Sequence, residues 1–257
     1  MYRDKIIAGI REIIGEDLLA KALIKDEMAN GVQFTGKEQV STVALGVSLN
    51  EDFLKEAVRI GAEMVVVHHG FDARTYKSVF SKSAQKRLKI ILDNRLTVVG
   101  LHYALDAHPR VGNNAVIIRE LGASLGEPLF EEWGYVGKFD QAQEVEKLTD
   151  RCRSLFNHEI LAINAGPEKV TTIGVVSGAG KPNAMHMAEL EQKGIELFIT
   201  GEPAESVPHL MKEAEINYFA GGHYATEVFG VQALAKQIKL KFKHNLKLEF
   251  IDIANAV

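Results

Sequence analysis

Between residues 40 and 101 the apolar residues come in short unbroken runs, separated by longer segments in which they recur at helical spacing. Val40-Ser41-Thr42-Val43-Ala44-Leu45-Gly46-Val47, Val65-Val66-Val67 and Thr97-Val98-Val99-Gly100-Leu101 read as strands buried on both faces, the pattern of a parallel sheet. Asn50 is placed to cap a helix reaching about Ile60, with Gly61 as its C-terminal glycine. After an irregular loop at 71–80, a helix starts near Ser83 and carries Leu88, Ile91 and Leu92. Upstream, Ile6, Ile7, Ile10, Ile13, Ile14 and Leu18 predict an amphipathic helix or helix pair over 3–25. Asn30-Gly31 marks a turn before a short strand at 32–34. A loop is expected at 103–113 and a helix at 114–123. Residues 128–139 suggest a hairpin or crossover, and 141–156 a helix.

The pattern then repeats. VSTVALGVSL (40–49) matches VTTIGVVSGA (170–179), GAEMVVVHHG (61–70) matches GIELFITGEP (194–203), and GLHYALD (100–106) matches GGHYATE (221–227). Buried parallel strands resemble one another, which accounts for the apolar runs but not for G-x-H-Y-A-x-[DE] occurring twice in order. The expected fold is therefore α/β: two similar, interlinked α/β domains from an internal duplication, 1–126 and 127–257.

Composition narrows the class. The chain has 257 residues, 46% hydrophobic and 25% charged, as in ordinary globular proteins. A net charge of -4 gives no general pull toward nucleic acid or an anionic membrane. The single cysteine, Cys152, excludes an internal disulfide and any multi-thiolate metal site. No apolar run approaches the roughly 18 residues of a membrane span, and the charged, helical N-terminus is unlike a secretory signal. A cytoplasmic location is expected.

The candidate chemistry sits at strand ends, where ligands bind in α/β sheets. His68 and His69 end one strand and are followed by Gly70; in a regular strand their rings point to opposite faces, so a shared site predicts a departure from strand geometry there. Glu202 holds the matching place in the second repeat. His102 and Asp106, like His223 and Glu227, are four residues apart, a spacing that puts both side chains on one face of a helix. For His223 and Glu227 a helix fits the following sequence; for His102 and Asp106, followed by His108-Pro109, a loop is expected. If the repeats face each other, both clusters meet in one cleft. Imidazoles and carboxylates without thiolates suit zinc, iron, manganese or cobalt, and there are enough here for two ions about 3.5–4 Å apart bridged by a carboxylate. A histidine without such company is usually a hydrogen-bonded core or surface residue; that reading goes to His158, His186, His209 and His244, while His108 stays open.

The segments NGVQFTG (30–36), MVVVHHG (64–70), GLHYALDAHPRVGNN (100–114), ITGE (199–202) and AGGHYATEVFGVQALA (220–235) together resemble the Nif-three-like family of dinuclear metal proteins, whose members are often labelled type-two GTP cyclohydrolase I homologues. The resemblance implies His68, His69, Asp106, His223 and Glu227 as metal ligands, with Glu227 bridging. It sets His102 at the edge of the site, in proton transfer rather than primary ligation. It implies two divalent ions (zinc, iron or manganese) in a cleft between two α/β halves, and a homohexameric ring. The extra domain of some members has no room in 126–169, and the family's usual aspartate after the first long strand is Ser48 here. The implied activity is a metal-dependent hydrolase acting on a small nucleotide- or heterocycle-like substrate. The alternative is a non-catalytic metal-binding ring protein with a regulatory or macromolecule-binding role. GAGKP (178–182) lacks the spacing of a phosphate loop and reads as a turn.

Overall fold

The computed structural model describes residues 1–75 and 77–257; Tyr76, within the loop expected at 71–80, and the side chain of His244 lie outside the described residues. Two compact units emerge: Met1–Leu105 with Val231–Ile253 (unit 1), and Asp106–Gly230 with Ala254–Val257 (unit 2). This division differs from a single cut at 126: the first boundary falls between Leu105 and Asp106, and Val231–Ile253 belong to the first unit.

Unit 1 begins with α1 (Arg3–Ile14) and α2 (Glu16–Lys25), a helix pair broken at Gly15, whose φ of 94° suits glycine. There follow β1 (Asn30–Phe34), β2 (Thr42–Ser48), α3 (Glu51–Arg59), β3 (Met64–His69), α4 (Lys82–Asp93) and β4 (Thr97–Leu101). Asn50 caps α3 as expected, its side chain accepting from Phe53 N at 2.8 Å. Phe53, Leu54, Val65, Val67, Ile91 and Val98 share one buried core.

The segment after β4 corrects the sequence reading, for His102–Ala107 is a short helix, α5, and not a loop. Its first amides are satisfied by side chains from elsewhere: Tyr103 N donates to Asp26 and Ala104 N to Asn30, each at 3.0 Å. Helix starts need such acceptors, and here neither is local in sequence.

Unit 2 carries α6 (Asn113–Glu120), the hairpin β5 (Ser124–Leu129) and β6 (Gly134–Glu144), α7 (Val145–Phe156), β7 (Leu161–Ile163), β8 (Lys169–Val176), α8 (Ala184–Gln192), β9 (Leu197–Thr200), α9 (Val207–Glu213) and β10 (Asn217–Ala220). The long α10 (His223–Phe242) starts in unit 2 and ends in unit 1, and β11 (Lys247–Phe250) then joins unit 1 beside β2. β7, α9 and β11 were not expected.

The sheet orders are β1-β4-β3-β2-β11 and β5-β6-β8-β9-β10-β7. Within them, β1-β4-β3-β2 and β7-β10-β9-β8 have the same order and sense: an antiparallel edge strand, then three parallel strands. One hydrogen-bonding device occurs in both. Glu63 accepts from the backbone amides of Ser41 and Thr42, each at 3.0 Å, and Glu196 from those of Thr171 and Thr172 at 2.6 and 2.9 Å. Each glutamate thus ties the start of one parallel strand to the start of the next. Ser41 and Thr171, Thr42 and Thr172, and Glu63 and Glu196 are the pairs matched by the sequence repeat.

Candidate metal centre

In unit 1, β3 delivers His68 and His69 at its carboxyl end, and α5 opens with His102 directly after the neighbouring β4. The strand continues through His69, so the expected departure from strand geometry at the pair does not occur. The rings nevertheless converge, with centroids 4.6 Å apart for His68 and His69, 4.9 Å for His68 and His102, and 5.4 Å for His69 and His102. One ring nitrogen from each of the three lies within 4.8 Å of the others. Gly70 follows because a Cβ there would collide with the Gln33 amide, whose oxygen accepts from Phe71 N at 2.7 Å and whose nitrogen donates to Phe71 O at 2.7 Å.

Each of these rings is held by Nδ1. His68 Nδ1 stands 3.1 Å from Leu101 O, His69 Nδ1 2.9 Å from Ser48 Oγ, and His102 Nδ1 2.8 Å from Asp26 Oδ2. Metal-binding histidines use this arrangement, one nitrogen fixed by a hydrogen bond and the other turned to the ion, so Nε2 is the atom each ring could offer to a ligand. Ser48 thus contacts the ring of His69 where the family resemblance put an aspartate. Burial pushes the Asp26 carboxyl up, but His102 together with the donors of Met28 and Asn30 outweighs it and holds Asp26 well below the usual carboxylate range.

Unit 2 brings together Asp106, His223 and Glu227. His223 and Glu227 lie on the first turn of α10, as the four-residue spacing predicts, with Nε2 3.1 Å from Oε1. An oxygen of Asp106 lies within 4.8 Å of one of Glu227. Asp106 Oδ1 accepts from Ser177 Oγ at 2.9 Å and from Asn113 Nδ2 at 3.0 Å, while Asn114 Nδ2 bonds the Asp106 carbonyl at 3.1 Å. His223 Nδ1 faces Glu202 Oε1 at 2.6 Å. Burial lowers the affinity of His223 for a proton, yet Glu227 and Glu202 outweigh it and raise its pKa to about 9. Gly178 closes the cluster with a φ of +62°; a Cβ there would collide with the Glu227 carboxylate. Its amide donates to Thr226 Oγ1 at 3.0 Å.

The profile of the Duf34/NIF3 (NGG1p interacting factor 3) family matches residues 8–256. The chain belongs to the Duf34/NIF3 family. A relative from Escherichia coli (strain K12), named GTP cyclohydrolase 1 type 2 homolog, is 34% identical over 249 residues, 96% of this chain and 97% of that protein. One of the same name from Archaeoglobus fulgidus is 34% identical over 242 residues, 93% of this chain and 94% of that protein. A solved structure described as protein ybgI, of unknown function, superposes with a TM-score of 0.87 at 32% identity, covering 100% of both chains.

Sequence reasoning missed Asp26, Asn113, Asn114 and Ser177. The asparagines stood within the matched stretch GLHYALDAHPRVGNN without a role, and Ser177 follows a strand whose counterpart ends near Ser48. Asp26 carried no local signal. His186 caps α8 and stacks on Phe130 with ring centroids 4.0 Å apart, and His158 Nδ1 lies 2.6 Å from Glu159 O. His108 Nδ1 accepts from Arg110 N and Val111 N at 3.0 and 3.1 Å, closing a turn. Among the described residues, no helix is long and apolar enough to cross a membrane.

Proposed function

We propose that this Duf34/NIF3 protein binds two divalent ions, zinc, iron or manganese, and is a hydrolase acting on a small nucleotide- or heterocycle-like molecule. The observation that carries the reading is the trio His68, His69 and His102, each fixed through Nδ1 so that Nε2 is the nitrogen for a ligand. In unit 2 the donors are Asp106, His223 and Glu227, again without a thiolate. Nitrogen and oxygen donors of this kind fit ions that keep positions open for water.

In this reading His68, His69, Asp106, His223 and Glu227 would hold the ions, with Glu227 serving both. Ions bound there would supply Lewis acidity and acidify a coordinated water. The chain's own groups do the rest. Ser177 and Asn113 fix the Asp106 carboxylate, Glu202 fixes His223, and His102 accepts a proton at Nε2. A cavity of about 490 Å³ in unit 1, lined in part by Asn30, Gln33 and Arg74, offers amide groups and a guanidinium paired with Asp72 to a small ligand. The relatives' name points to guanine nucleotides as the first compounds to try. Assembly into the homohexameric ring implied by the resemblance belongs to the same proposal.

Metal analysis of the reconstituted chain should give two ions per chain; one or none overturns the dinuclear site. A screen of nucleotides, pterin precursors and phosphoesters with each metal tests the hydrolase. If no compound turns over faster with the wild type than with His69→Ala, the non-catalytic, macromolecule-binding reading replaces it.

A further inference from the structure

Unit 1 holds a carboxylate that no ligand role uses. Asp26 caps the C-terminus of α2, and its side chain is only 5% exposed. Its oxygens are fully engaged: Oδ2 accepts from Asn30 Nδ2 at 2.8 Å and from Tyr103 N at 3.0 Å, and faces His102 Nδ1 at 2.8 Å, while Oδ1 accepts from Met28 N at 2.9 Å. A buried carboxylate stays ionised only when hydrogen bonds offset its lost hydration, and here four polar groups do so.

An ionised carboxylate can only accept. The proton between Asp26 and His102 therefore belongs to Nδ1 of the ring, and Nε2 carries the lone pair. The other two rings of the trio are held differently. The Leu101 carbonyl on His68 is uncharged, and the Ser48 hydroxyl on His69 can donate or accept, so it selects no tautomer. Of the three Nδ1 partners named here, Asp26 is the one that carries a full charge.

Two capping tasks, at Met28 N and Tyr103 N, account for part of what Asp26 does, and an asparagine oxygen would serve either. The bond to the imidazole is different, because it decides where the ring's basic nitrogen lies. His102 sits among rings proposed as ligands, with centroids 4.9 Å and 5.4 Å from His68 and His69.

We propose that Asp26 is the positioning residue of His102: it selects the Nδ1–H tautomer and fixes the ring so that the lone pair on Nε2 joins the cluster formed with His68 and His69. The inference rests on the proposed metal site and deepens it by naming what makes His102 a proton acceptor there. The carboxylate orients the imidazole and takes no proton itself, the division of labour seen in carboxylate–histidine pairs generally. Asp26 and His102 are 76 positions apart, so the pairing exists only in the folded chain.

The test uses the whole chain with 15N-labelled histidine, metal-free, at a pH about two units above an ordinary imidazole pKa, where an imidazole without a raised pKa is neutral. Two-bond 1H–15N correlation spectra report each ring's tautomer, and His102→Gln identifies the signals of His102. The wild type should show His102 wholly as Nδ1–H. Asp26→Ala should shift it to a mixture dominated by Nε2–H, while metal content per chain stays at the wild-type value because Asp26 is not a ligand. Asp26→Asn, whose single uncharged oxygen serves one of the two backbone amides, should weaken the Nδ1–H preference and serves if the alanine variant does not fold. A wild-type ring protonated at Nε2, or unchanged His102 signals in the folded variants, overturns the proposal. Failure to bind metal would sink the proposed function and leave the tautomer result standing; bound metal with an unchanged tautomer would sink the positioning role alone.

Discussion

His223 presents Nδ1 to Oε1 of Glu202 at 2.6 Å, and the same ring meets Glu227 through Nε2 at 3.1 Å. One carboxylate thus orients the imidazole while the other shares the side that would take an ion. Removing the orienting group should weaken metal binding without abolishing it. Groups of this kind are worth about 10–100-fold in metal affinity. Glu202→Ala should show a loss of that order in chelator competition, with the fold retained by circular dichroism. Unchanged affinity would mean that His223 needs no orientation from Glu202.

Gly178 adopts φ +62° and lies where a Cβ would collide with the Glu227 carboxylate. Gly178→Ala should therefore do two things. The left-handed backbone costs roughly 1–2 kcal/mol for an alanine, which urea unfolding would read. The displaced Glu227 should lower metal content below that of the wild type. A variant with full metal content and wild-type stability would contradict both the strain and the contact.

Glu63 and Glu196 each clamp two consecutive backbone amides at the start of a strand. A hydrogen bond to a charged group contributes about 1.5–3 kcal/mol, and partial exposure places these pairs at the lower end. Glu63→Ala and Glu196→Ala should each destabilise by about 1.5 kcal/mol in denaturant titrations, on the scale of one such bond. A large effect from one and none from the other would show that the matched geometry is not matched energetically.

Asp26 supplies a pH dependence whose sign follows from its depressed carboxyl. A carboxylate with a folded pKa below its unfolded value of about 3.9 stabilises the fold fully above that unfolded value. The contribution is lost as pH falls through the acid range toward the folded pKa. The stability gap between wild type and Asp26→Asn should be constant near neutrality and narrow below about pH 4. A gap that widens on acidification would reverse the assigned shift.

Cys152 is fully buried on α7, and burial pushes its thiol up to about 12. Only the thiolate reacts readily. A maleimide should leave the folded chain unmodified at neutral pH and label it once denaturant unfolds it. Rapid labelling of the folded chain would place Cys152 nearer solvent than its packing implies.

Whatever depended on neighbours along the chain was legible in the sequence. The unbroken Val65-Val66-Val67 run marked a buried strand because solvent-facing strands alternate, and β3 is buried along all but its last residue. The cap at Asn50 and the four-residue step from His223 to Glu227 are likewise matters of local geometry. The double occurrence of G-x-H-Y-A-x-[DE] pointed to a repeat, and the parallel sets β4-β3-β2 and β10-β9-β8 have the same order, while the antiparallel edge strand β7 was not announced. What lies far apart along the chain was decided only by folding. α5 looked like a loop because the acceptors that start it, Asp26 and Asn30, come from before β2. β11 alternates polar and apolar residues in Lys247-Leu248-Glu249-Phe250, a strand signal the sequence reading passed over, but its place beside β2 was decided by folding. The partners that hold each candidate ligand, Asp26 on His102 and Ser177 on Asp106, have no fixed spacing to them, since a hydrogen bond requires proximity in space and sets no distance along the chain.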